Sequence, residues 1–277
     1  MSGAARPRAS GAAIFAAFMR RDFREALTYK FSFVSSITGI LLSSATFYFV
    51  AKLVPPGTPS LGPFGGDYFS FAVIGVAFAS LLGMFQEGLP AVVRSAQLSG
   101  TLEALLVSPA SISTILFGSS LYPLVFQLFR TALQLGVALA FFGLTLGRIN
   151  GPGVLCVGAL TVLCFLSVGV LSASFILVYK TGNPFSWILG TVSGLLGGVV
   201  FPVSLLPPWI RWVSSLLPVT YALDGMRKSL LASSGFAEVL PDVIALAAFD
   251  AVLLPLSLVA FRLAVRKAKK DGTLSHY

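Results

Sequence analysis

"YFSFAVIGVAFASLLGMF", residues 68–85, decides the architecture. It carries no charged side chain, and its apolar residues run on continuously without alternating. A barrel strand would alternate with period two. A continuous apolar run of about 20 residues is what a helix needs to cross a hydrocarbon core of about 30 Å. In lipid the backbone polar groups must be satisfied within the segment, so the run reads as a membrane helix.

The chain around it repeats the pattern. Of its 277 residues 56% are hydrophobic and 10% charged, with a mean hydropathy of +0.90. A soluble domain carries about 25% charged residues, so this chain cannot cover a water-facing surface. The sequence predicts an all-α integral membrane protein with six spans. They are about Phe31 to Val54, Tyr68 to Phe85, a stretch within Ile112 to Leu146 bent at Pro123, Val154 to Val178, Phe185 to Val203, and Val243 to Phe261. As a single membrane domain over 1–277, it divides into an interfacial helix (10–30), a six-span core (31–262) and a tail (263–277).

Two apolar pieces between the last two spans are too short to cross. "LPPWIRWVSSLLP" and "TYALDGMRKSLL" each run to about a dozen residues, and segments that short are re-entrant or interfacial. Pro207, Pro208 and Pro218 break the backbone, Trp209 suits an interface, and Asp224 and Arg227 need shielding at depth. These six residues are candidates for a gate that dips from one face of the membrane and returns to it.

Lysine and arginine set the expected orientation. Arg6, Arg8, Arg20, Arg21, Arg24 and Lys30 precede the first span, and Arg262, Arg266, Lys267, Lys269 and Lys270 follow the last. Both termini are therefore expected on the cytoplasmic side of a cell (inner) membrane. The net charge of +9 is explained by this asymmetry and calls for no nucleic acid. Residues 14–28, "IFAAFMRRDFREALT", place arginines on one arc and Phe15, Phe18, Met19 and Phe23 on the other, a helix lying in the cytoplasmic interface against membrane lipids.

A second amphipathic stretch, "LSGTLEALLVSPAS" at 98–111, joins the second and third spans. Leu98, Leu102, Leu105 and Leu106 share one helical face, and Pro109 stops it. Gly190, Gly194 and Gly198 recur at every fourth position of the fifth span, the spacing that lets helix backbones approach, within one chain or between two copies. Neither a G-x-x-x-x-G-K-[ST] phosphate loop nor a catalytic nucleophile with its base is present, and the single histidine, His276, is in the tail. Arg130 and Asp250 stand as ionisable groups inside spans, too few to argue for ion coupling.

Three features resemble the type-2 permease family of ATP-binding-cassette exporters. They are "SGTLEALLVSPAS" after the second span, "VVFPVSLLPPWIRWVSSLLPVTYALDGMR" at 199–227, and the six-span plan behind a basic amphipathic helix. The resemblance implies a coupling helix at about Gly88 to Leu106 that docks on an ATPase subunit, with Gly100, Thr101, Leu102 and Glu103 at the matching motif. It implies two permeases working with two nucleotide-binding subunits, which hold the ATP and Mg while this chain holds no cofactor or metal. The cargo classes of that family, together with 24 phenylalanines against 7 tyrosines and 3 tryptophans, point to an amphipathic or lipid-linked cargo. An ion-coupled secondary transporter is the alternative, and a membrane enzyme acting on lipid a third reading.

Overall fold

The computed structural model describes residues 30–55, 57–99, 112–179, 184–232 and 234–270. The 14–28 helix and the Gly100–Leu106 part of the loop motif lie outside the described residues. Among those described there are eight α-helices and no strand: α1 Lys30–Ala51, α2 Tyr68–Leu98, α3 Ile112–Phe142, α4 Gly151–Tyr179, α5 Pro184–Leu196, α6 Pro208–Ser215, α7 Pro218–Leu230 and α8 Phe236–Lys270. Five of them, α1, α2, α3, α4 and α8, are long and apolar enough to cross a membrane.

The bundle has two unlike ends. At one, which we call the rim, the loops after α1, α3 and α7 are tied together. The Gly147 and Asn150 amides donate to the Leu230 and Ser229 carbonyls, each at 2.9 Å, and the Asn150 side chain donates to Ser234 O at 3.1 Å. Asp67 caps the start of α2 by accepting from the Phe69 and Ser70 amides. That satisfies donors with no partner inside the helix. Aromatic rings of Tyr48, Phe69 and Phe142 close the top of α1, α2 and α3.

At the other end, the foot, three helices run on together. Leu89 and Val93 of α2, Ala173, Ile176 and Leu177 of α4, and Phe261, Ala264 and Ala268 of α8 form one buried cluster. The Gln97 amide donates to Ile176 O at 3.4 Å. Sequence alone ends the second span at Phe85 and the sixth at Phe261. The structure carries these helices through Leu98 and Lys270, so Gly88 to Leu98 belong to α2 itself and 263–270 to α8, not to a separate tail. Pro90 lies inside α2 and Pro123 inside α3, and each helix continues through its proline.

The fifth expected span, Phe185 to Val203, is realised differently. α5 has 13 residues, about 20 Å of helix, and stops at Leu196. It starts beside the middle of α2, where Ser186 Oγ donates to Gln86 O at 2.7 Å and to Ser172 Oγ at 3.1 Å. Its non-helical continuation ends beside Phe71 and Gly75, near the rim. Gln86 and Phe71 are fifteen residues apart on α2, about 22 Å. A short helix and a bent strand of chain together climb that distance. α6 and α7, of 8 and 13 residues, are each too short to cross, as the sequence predicts.

Candidate functional site

α5 ends because of two glycines. Gly198 has φ +78°, a left-handed conformation that other residues adopt at a cost. A Cβ on Gly197 would lie 2.3 Å from the Ser193 carbonyl and 2.3 Å from Val219 Cγ1, so only glycine lets the start of α7 pack there. The break leaves carbonyls without helical partners. Arg227 of α7 takes them. Its guanidinium donates through Nη1 to Gly198 O at 2.7 Å, through Nη2 to Val199 O at 2.7 Å and through Nε to Phe71 O at 3.2 Å. The same group stacks 3.5 Å from the centre of the Phe71 ring. Arg227 is 0% exposed. A planar fork of donors matches two adjacent carbonyls in a way a lysine ammonium cannot. A positive charge also complements the negative end of α5.

The pocket holding this guanidinium is made by a glycine of α2. A Cβ on Gly75 would sit 2.0 Å from Val199 O and 2.2 Å from Arg227 Nη2. Gly75 and Phe71 are the participants sequence reasoning missed; a lone glycine within the apolar run 71–78 was the available signal. Arg227 itself was expected to need shielding, and it is fully shielded. Lys228, next to it, pairs with Asp242 of α8 at 2.7 Å. Asp224, one turn earlier, is half-buried.

The other candidates take separate positions. Pro207 and Pro208 start α6, where the missing proline N–H costs nothing, and Pro218 starts α7 in the same way. Trp209 and Trp212, three apart on α6, are 74% and 67% exposed. Arg211 folds α6 back by donating to Ser204 O at 2.7 Å and Leu206 O at 3.1 Å. The Thr220 and Tyr221 hydroxyls donate to Ser214 O and Ser215 O, clasping α7 to the end of α6.

The glycine spacing does not act as one face. A Cβ on Gly190 would meet Gln86 Oε1 of its own chain at 3.5 Å, Gly198 makes the turn, and a Cβ on Gly194 would meet nothing within 4 Å among the described residues. Gly194 alone remains open to a second molecule. Gly100, Thr101, Leu102 and Glu103 lie outside the described residues; the last helical residue before them, Leu98, is 61% exposed at the foot. Asp250 in α8 has both carboxyl oxygens buried with no hydrogen-bond partner among the described residues.

Five long apolar helices, with a bend held by Arg227 against α2, define a multi-pass membrane protein. The profile of the ABC-2 type transporter family matches residues 12–231, and the chain belongs to that family. It is thus a permease of the ABC-transporter type, a membrane protein of that family. Nodulation protein J of Sinorhizobium fredii (strain NBRC 101917 / NGR234) is 27% identical over 175 residues, covering 62% of this chain. The matched stretch spans 65% of that relative's length.

Proposed function

We propose that this chain is the translocation subunit of an ATP-driven exporter, working as two copies with two ATPase subunits, and that it moves an amphipathic or lipid-linked cargo. The observation that carries the reading is the family match laid over the foot. α2, α4 and α8 continue as one packed stem past the apolar core, and α2 leads straight into the 98–106 motif. A stem of this kind can transmit displacement of a docked subunit to the fifth passage, which contacts α2 from Gln86 to Phe71. ATP and Mg sit on the partner subunits. The excess of Lys and Arg before the first span and after the last supports a foot and termini on the cytoplasmic side of an inner membrane, with the rim outside. Purification from native membranes in mild detergent tests the reading. An ATPase subunit should accompany the permease in equal amount; a permease that purifies alone, and whose transport follows an ion gradient, would favour the secondary-transporter alternative.

On this reading α6 and α7 are a re-entrant pair at the outer face, beside the latch. Ser214 at the end of α6 is buried, with its carbonyl clasped by Thr220. Its neighbour Ser215 is exposed. Ser215→Cys, in a background lacking Cys156 and Cys164, is expected to react from outside only. Labelling from the cytoplasm alone would show that the pair crosses.

The open position of Gly194 separates two roles for the glycine spacing. Gly194→Leu should leave the thermal stability of the single permease within about 0.5 kcal/mol, the range for a surface change. It should also shift native mass from dimer toward monomer. An unchanged dimer would remove Gly194 from the interface.

A further inference from the structure

We infer that Arg130 and Gln127 of α3 form a binding site for the anionic headgroup, phosphate or carboxylate, of a ligand carried on an apolar tail. The inference rests on the exporter reading for the ligand's fate, and the site is argued from the helix alone. α3 is two-faced. Val125, Leu128 and Phe129 are exposed on one side, while Gln127, Thr131 and Gln134 are buried on the other. Arg130 stands half-buried at the edge between them. Gln127, Arg130, Thr131 and Gln134 fall within one arc of about 100° at helical spacing.

Two donors on this arc have nothing to donate to. Gln127 Nε2 is fully enclosed without a hydrogen-bond partner among the described residues. Arg130 makes no hydrogen bond, ion pair or ring contact among the described residues. Thr131 differs, since its hydroxyl donates to Ala77 O at 3.4 Å. The deeply placed Arg227 differs too, with three carbonyls around it. Arg130 lies twelve residues, about 18 Å, below Phe142 at the rim, well inside a hydrocarbon layer of about 30 Å. An uncompensated charge at such depth marks a functional group. Asp250, the buried carboxylate of α8, has no hydrogen-bond partner among the described residues and makes no ion pair with Arg130.

The two deficits are of one kind. A guanidinium fork and an amide N–H both lack acceptors, and a phosphate or carboxylate supplies several at once, with the charge that Arg130 needs. Side chains on a helix lean toward its start, so Arg130 points over the turn that carries Gln127. Next to Arg130 on the helix surface the exposed Phe129 begins the apolar, outward face of α3, against which a tail can lie. A free anion would gain nothing from that surface.

The test is a melting titration of the full-length permease in dodecyl maltoside, with dodecyl phosphate added below its own micelle concentration. The anion should raise Tm saturably. Arg130→Gln should weaken the apparent Kd at least tenfold, Gln127→Leu and Arg130→Lys a few-fold, and Arg262→Gln, a basic change at the foot, not at all. Inorganic phosphate at equal concentration should leave Tm unmoved. An equal response in Arg130→Gln, a loss shared by Arg262→Gln, or an equal effect of inorganic phosphate would each overturn the site. Should Arg130→Gln fail to fold, Arg130→Lys and Gln127→Leu decide the matter. Failure of an ATPase to co-purify would overturn the exporter reading and leave this binding result standing. Loss of the binding, with the ATPase still present, would remove the site alone.

Discussion

Arg227→Met is expected to destabilise the permease by about 3 kcal/mol and to abolish transport by whatever protein still inserts. The side chain keeps its length and loses its donors. The carbonyls of Gly198 and Val199 then stay buried without partners, and each such group costs about 1–3 kcal/mol. Against a total stability of about 5–15 kcal/mol the loss is large. Arg227→Lys should fall between wild type and Met, because a point charge cannot bridge two carbonyls as a planar fork does. Gly75→Ala should give the same defect by another route, pushing Val199 O out of reach of the guanidinium. The double variant should be less severe than the sum of the two singles, since both break one contact set. Thermal melting with each variant checks the numbers. Additive losses would mean that Gly75 and Arg227 serve unrelated contacts.

Glu103→Lys is expected to leave insertion and the bundle intact while transport-linked ATP hydrolysis falls to background. Leu102→Asp should do the same and reduce recovery of the ATPase subunit at least tenfold, about 1.4 kcal/mol or more of binding. At helical spacing Leu98, Leu102, Leu105 and Leu106 are expected to share one face, and the stretch begins where the stem of α2 ends with an exposed Leu98. Wild-type hydrolysis and recovery in both variants would detach this motif from the partner subunit.

Much of this architecture can be read from the chain. Continuous apolar runs located all five long helices, since lipid leaves the backbone no other choice. Their lengths were less legible. Glu87 and Arg94 of α2, and Arg262, Arg266 and Lys267 of α8, end any apolar window before the helix ends. The helices continue because their inner faces pack on α4, a tertiary effect that local hydropathy does not carry. Residues 185–203 carry no charge and are mostly apolar, so the run reads as one helix. Gly197 and Gly198 interrupt it because Val219 and Arg227, far along the chain, require the space and the carbonyls. That Arg227 needed shielding was evident from its charge. That Phe71, Gly75 and Gly198 provide it was not, because the contacts reach 29 and 156 residues along the chain. The regular spacing of Gly190, Gly194 and Gly198 suggested one packing face, and three-dimensional surroundings divide it into three roles.

The central claim is that nucleotide bound on a separate subunit moves the latched passage near the rim. The rate at which Ser215→Cys reacts with an impermeant thiol reagent, in the complex with its ATPase subunits, reads that movement directly. Trapping the ATPase in its nucleotide-closed state should change the rate severalfold, and Glu103→Lys should erase the change. A rate indifferent to nucleotide, or one that follows a proton or sodium gradient instead, would contradict the account.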